Sequence, residues 1–96
     1  TAIICGNDNL AIGVTRALAK RGLSVPEDIS LFGYDNIPDS AYLSPSLSTV
    51  DVPKREIGRY ALRLLLDAIE NHRDWPITVT LPFKLIERES TKEVSR

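Results

Sequence analysis

The stretch AIICGNDNLAIGVTRALAKRGLSVPEDISLFGYDNIP, Ala2 to Pro38, decides how the rest of the chain is read. It reads as strand, loop, helix, loop, strand, loop. Thr1 to Cys5 is a short apolar run of the kind a central strand shows. Asn7 or Asp8 can cap the following helix, which is expected from about Asn9 to Arg21. Leu10, Val14, Ala17 and Leu18 fall at i, i+4, i+7 and i+8 and predict one core-facing stripe. Lys20 and Arg21 suit the negative end of the helix dipole, and Gly22 suits the position just past it. Pro26 discourages further helix, and Ile29 to Tyr34 reads as the second strand. Each strand ends in a polar cluster, Gly6-Asn7-Asp8 after the first and Asp35-Asn36 after the second. In an open parallel α/β sheet, ligands bind outside the carboxyl ends of the strands.

Further along, Leu47 to Val52 predicts a third short strand. A second helix is expected from Pro53, a favoured first helical residue, to about His72. Ile57, Ala61, Leu64, Leu65, Ala68 and Ile69 give it a long apolar stripe, and Arg63 with Asp67 an i, i+4 ion pair. Asn71 to Pro76 is a polar loop. Thr78 to Leu81 and Phe83 to Glu87 read as strands broken at Pro82, and the polar tail from Ser90 is expected to fray. There is no internal repeat. This order predicts an α/β domain with a mostly parallel sheet flanked by helices.

Composition narrows the class. With 43% hydrophobic and 26% charged residues, the 96-residue chain has an ordinary globular balance. A net charge of -1 gives no basic surface for nucleic acid. No apolar run approaches the ~20 residues that span a bilayer, and no stretch reads as a secretory signal. There is no Met, and the chain opens inside an apolar strand, so residues 1–96 read as a piece of a longer protein.

Catalytic and metal signals are weak. One His and one Cys cannot build the common zinc sites. His72 reads as an exposed helix-end residue and Cys5 as buried packing. Gly6 and Gly13 fit neither the phosphate loop nor the dinucleotide fingerprint, and no Gly-x-Ser-x-Gly elbow exists. No cofactor, metal or catalytic group is therefore expected, and the chain does not read as an enzyme. The strand-end residues are more informative. Asp35 can accept two hydrogen bonds from ligand hydroxyls or ring N–H groups, and Asn7 can donate and accept. Together they suit a neutral polar molecule such as a sugar or nucleobase. The competing reading is local: Asn7 and Asp8 cap a helix, and Asp35-Asn36 makes a turn. A second face of the first helix carries Ala11, Ile12, Thr15 and Ala19, and Tyr42-Leu43 adds an apolar knuckle. These residues mark a candidate dimer face, or a helix buried on two sides within its own lobe.

At this point a family resemblance stands out. Cys5-Gly6-Asn7-Asp8-Asn9-Leu10-Ala11-Ile12-Gly13, Arg16-Ala17-Leu18 and Gly22 through Ser30 resemble the effector domain of the lactose-repressor family. Gly33-Tyr34-Asp35-Asn36, Pro45 through Val50, Pro53-Lys54 with Ile57-Gly58, and Leu85-Ile86-Glu87-Arg88-Glu89-Ser90 continue the match. The pattern looks most like the C-terminal part of purine- or ribose-repressor-type members. The resemblance implies a type I periplasmic-binding-protein fold, with a small-molecule effector between two lobes, and a cytoplasmic homodimer. It also implies a helix-turn-helix, not in this stretch, that reads operator DNA. By position, Asn7 and Asp35 would contact effector. The family often places Gln before the helix-opening Pro, but here Val52 stands there, which removes a third polar contact. Two rivals share the scaffold, a periplasmic sugar-binding protein and an enzyme on a doubly wound sheet.

Overall fold

The computed structural model describes residues 1–94. They fall into two compact units, one made of Thr1–Asp51 with the chain from Lys84 on, the other of Val52–Phe83.

In the first unit, strand β1 (Ala2–Ile4) leads into helix α1 (Asp8–Lys20), which returns to strand β2 (Ser30–Phe32). β1 and β2 pair in parallel, Ile3 opposite Leu31. A 3-10 turn (Pro38–Ala41) precedes strand β3 (Thr49–Asp51). A single parallel bridge, Phe32 to Ser48, carries pairing from β2 toward β3. β3 pairs antiparallel with β4 (Lys84–Ile86), so the expected parallel arrangement holds for the first three strands and reverses at the last.

Helix α1 is closed at both ends by local chemistry. Asn7, in extended conformation, accepts the Leu10 N–H on its side-chain oxygen at 2.8 Å. At the other end Leu23 N–H reaches Leu18 O at 3.0 Å and Gly22 N–H reaches Ala19 O at 3.1 Å, with Gly22 at φ 72. This paired C-terminal arrangement requires a left-handed residue, and Gly takes it without strain.

The expected stripe holds at Leu18, which is buried, and at Val14, which packs on the core, but the helix is rotated enough that Leu10 is 57% exposed and Ala17 lies outside, while Asp8 and Ala11 are buried. The cause is Asp8, whose carboxylate is drawn inward and turns the next residue on that face, Ala11, against the sheet. The apolar core joins Cys5, Ala11, Leu31 and Leu47, with Ile3, Val14, Val25 and Leu43 packed on it. Leu31 and Leu47 are essentially inaccessible, and each contributes roughly 1.5–3 kcal/mol of burial. Ile4, pointing the opposite way along β1, is 82% exposed, so this strand is covered on one face rather than two.

The tail does not fray at Ser90. Its Oγ donates to Leu31 O at 2.6 Å and accepts from Ser48 N at 2.8 Å, and its carbonyl accepts Leu31 N–H at 2.8 Å. Between β2 and β3 the ladder is reduced to one bridge. Ser90 supplies the partners that Leu31 would otherwise lack.

The second unit is built on helix α2 (Lys54–Glu70). None of its residues is buried; Ile57, Leu65 and Ile69 are 47%, 57% and 61% exposed, and Leu64 and Ala68 are half-buried. The expected Arg63–Asp67 pair is replaced. Asp67 takes Arg73 Nε at 3.1 Å and Asn71 Nδ2 at 2.7 Å, while Arg63 lies over the Tyr60 ring. Arg73 also donates to Leu64 O and Trp75 O and stacks on Trp75, closing the helix end. Thr78 to Leu81 forms no strand, and the segment expected from Phe83 to Glu87 contracts to β4. The cause is the absence of a pairing partner for Thr78 to Leu81 among the described residues, with Pro82 withholding a donor next to it.

Candidate functional site

The carboxyl ends of β1 and β2 meet, as the sheet order requires. Asp8 N–H donates to Tyr34 O at 2.9 Å, with Asn7 and Asp35 one residue away on either side of that bond. The two sequence-predicted ligand residues therefore share one edge of the sheet.

Asp8 organises this edge. It is fully buried; its Oδ1 accepts the Thr49 hydroxyl at 2.6 Å and its Oδ2 the Ile37 N–H at 2.9 Å. One carboxylate at the helix start, where the dipole favours negative charge, so fastens β1, the loop after β2, and β3. Gly33 makes room for it. A Cβ there would collide with Asp8 Oδ1 and stand 3.0 Å from Leu47 Cδ2.

Beyond Gly33 the backbone takes an uncommon path. Asp35 and Asn36 both have positive φ, 117 and 54. Such values are strained for side-chain-bearing residues, less so for Asn, and strain of this kind gathers at ligand sites. The segment is held from several directions. Asp35 N–H donates to Val50 O at 3.0 Å, and Asn36 N–H to Thr49 Oγ1 at 3.3 Å. Asn36 Nδ2 donates to Asp51 Oδ1 at 3.2 Å. Its Oδ1 accepts from Arg88 Nη2 at 2.9 Å and lies 3.1 Å from Ser40 Oγ. No buried side-chain polar atom among the described residues lacks a partner.

Both local readings of the clusters hold in part. Asn7 does cap α1 through its oxygen, and its Nδ2 hydrogens take no partner among the described residues. Asp35 is half-buried at the strand end. Asn36, expected only as a turn residue, is the anchor of that turn. Asp8 reads in the sequence only as a possible cap, and Thr49, Ser40 and Arg88 carry no site role there. Arg88, a charge set beside the closing apolar strand, was the one signal available.

The candidate dimer face is divided. Ala11 is fully buried in the core and so cannot lie on an exposed face of α1. The physical reason is the same inward pull on Asp8. Thr15 is half-buried and its hydroxyl bonds back to Ala11 O at 2.9 Å. Ile12 is half-buried and Ala19 exposed. Tyr42 is 87% exposed, whereas Leu43 packs on the core.

Among the described residues, the Cys5 thiol and the Asp28 carboxyl are shifted. Burial pushes the Cys5 thiol up, which keeps it protonated and unreactive. The Ser24 backbone N–H, then its hydroxyl, hold the Asp28 carboxyl below its usual range. No cluster of three or more metal-ligating side chains occurs among the described residues, and none of their helices is long and apolar enough to cross a membrane. His72 is exposed, at the end of α2.

The family model described as "Periplasmic binding protein-like domain" matches residues 1–91. The chain belongs to this family. It is 43% identical over 93 residues to the HTH-type transcriptional repressor PurR of Yersinia enterocolitica, covering 97% of this chain and 27% of that protein. A LacI family transcriptional regulator of Enterococcus faecalis, solved with bound ribose, is 43% identical with a TM-score of 0.84, over 95% of this chain and 34% of that one. The lac repressor dimer bound to operator and the anti-inducer ONPF is 34% identical, also with a TM-score of 0.84, over 95% and 32%. Within the family its sequence and fold are similar to those of lactose-repressor-type regulators, PurR among them. It spans about a quarter of the length of the curated relatives it matches.

Proposed function

We propose that this chain is the C-terminal part of the effector-binding domain of a transcriptional repressor, and that it reads a small neutral polar molecule of the sugar class. The observation that carries the reading is the strained, tethered Asp35-Asn36 turn at the end of β2, level with Asn7 at the end of β1. Asp35 serves as acceptor for ligand hydroxyls, and Asn7 Nδ2 as donor. The similarity to a ribose-bound regulator favours a pentose among the polar ligands this edge suits. The intact protein is cytoplasmic, pairs as a homodimer with Ile12, Ala19 and Tyr42 contributing, and meets operator DNA through a domain outside this stretch. No catalytic step is assigned to it. Similarity to a transcriptional repressor, to an operator-bound repressor and to a ribose-bound regulator favours this reading over a periplasmic transport role.

Calorimetric titration of the full-length protein with ribose, and separately with hypoxanthine, tests the ligand class. Saturable micromolar binding of ribose, with a matching change in operator affinity, is expected. Binding of hypoxanthine alone would replace the sugar with a nucleobase. Binding of neither would remove the effector reading.

A further inference from the structure

We infer that Arg88, 52 positions away from Asn36 along the chain, is a positioning residue that sets the aim of Asp35. This rests on the reading of Asp35 as a ligand contact. The half-buried guanidinium donates three hydrogen bonds. Nη1 reaches Ser40 Oγ at 2.8 Å and Leu47 O at 2.9 Å, and Nη2 reaches Asn36 Oδ1 at 2.9 Å.

The one Ser40 hydroxyl proton goes to Ile37 O at 2.7 Å, with Asn36 Oδ1 at 3.1 Å as its second, more distant neighbour, both in the same turn. Arg88 thus grips the turn at Asn36 directly and at Ile37 through Ser40. Two consecutive residues with positive φ persist only when their surroundings over-determine them, and a planar fork bonded to three acceptors does so better than a single ammonium. Arg88 is itself fixed by its place beside β4, where its N–H donates to Ser48 Oγ at 2.8 Å. The closing Arg88-Glu89-Ser90 segment is therefore not only a seam. Ser90 completes the sheet, and Arg88 orients the strand end that faces ligand.

The test uses the full-length protein with Arg88→Lys, which keeps the charge but not the fork, and Arg88→Met as the stronger change. Amide hydrogen exchange at Asn36 and Ile37 is expected to rise at least tenfold in Arg88→Lys, while exchange in β1 and β2 stays as in the parent. Unchanged exchange at those two amides, or a uniform rise throughout, overturns the inference. Ribose affinity is expected to fall about tenfold in Arg88→Lys, and this loss should vanish once Asp35→Asn is already present. An equal loss in both backgrounds means Arg88 acts on stability alone and overturns the inference, leaving Asp35 in place. No loss from Asp35→Asn itself overturns both readings. If the parent does not bind ribose, the sugar reading fails by itself, and the exchange result decides the role of Arg88. If Arg88→Met does not fold, Arg88→Lys carries the test.

Discussion

The two units of this chain differ in what they bury. The first closes over polar groups, namely Asp8, Ser40, Ser48, Thr49 and Ser90, each with partners. The second, carried by α2, buries no helical residue and exposes Leu62, Leu65, Leu66 and Ile69. Apolar burial is indifferent to direction, whereas a hydrogen bond fixes distance and angle. A strand end held in two consecutive positive-φ residues needs the second kind of constraint. The lesson is that geometric precision here is concentrated where Asp35 and Asn36 sit, and that α2 is specified mainly by its amphipathic pattern.

The sharpest break of this contrast is Asp8→Ala in the full-length protein. It strands the Thr49 hydroxyl and the Ile37 N–H in the interior, at roughly 1–3 kcal/mol each, and opens a cavity. Urea denaturation should show the largest loss of any single change discussed here. A loss under 1 kcal/mol would mean the polar edge does not hold this unit.

Gly33→Ala comes next. The added methyl meets the Asp8 carboxylate and Leu47 rather than open space, and overpacking of this kind costs about 1–3 kcal/mol. Gly58→Ala on α2, with nothing near its Cβ, should instead be neutral or stabilising by up to ~1 kcal/mol. Thermal melts should show Gly33→Ala lowered and Gly58→Ala unchanged or raised.

For the 96-residue chain expressed alone, the bare face of α2 and the exposed Ile4 predict self-association at micromolar concentration. Leu65→Lys with Ile69→Lys should reduce it in sedimentation velocity. A monodisperse parent with a sharp melt would show that these faces are tolerated in water.

The smallest expected effect is at Asp28. Its carboxyl pKa is depressed by the Ser24 N–H and hydroxyl, so the charged form is favoured in the folded state. The stabilisation is present above the ordinary carboxylate range and is lost as pH falls through the depressed value. Asp28→Asn should flatten that part of the acid-stability curve slightly. The sign of the change, not its size, is the check.

Much of the fold was legible because local signals agreed. The apolar run before Gly6, the helix spacing, Gly22 and Pro26 each point to the same β-α-β order. What stayed hidden depends on distant partners. An Asp at a helix start reads as a cap whether or not it turns inward, and the Thr49 that draws Asp8 in lies 41 positions away. The rotation of α1, and with it the burial of Ala11, follows from that one pair. Thr78 to Leu81 has strand-like composition, but composition supplies no pairing partner. Ser90 looked like the start of a loose tail because its partners, Leu31 and Ser48, are on other strands.

The central claim is that Asp35 reads the ligand rather than merely turning the chain. Asp35→Asn keeps size and turn-forming ability and removes the charge. Losing one charge-assisted hydrogen bond, roughly 1.5–3 kcal/mol, should weaken ribose binding by about ten- to a hundred-fold. Calorimetric titration of full-length Asp35→Asn beside the parent, with a melt on each, is the direct measurement. A large affinity loss at unchanged melting temperature is the predicted result; unchanged affinity would contradict the account.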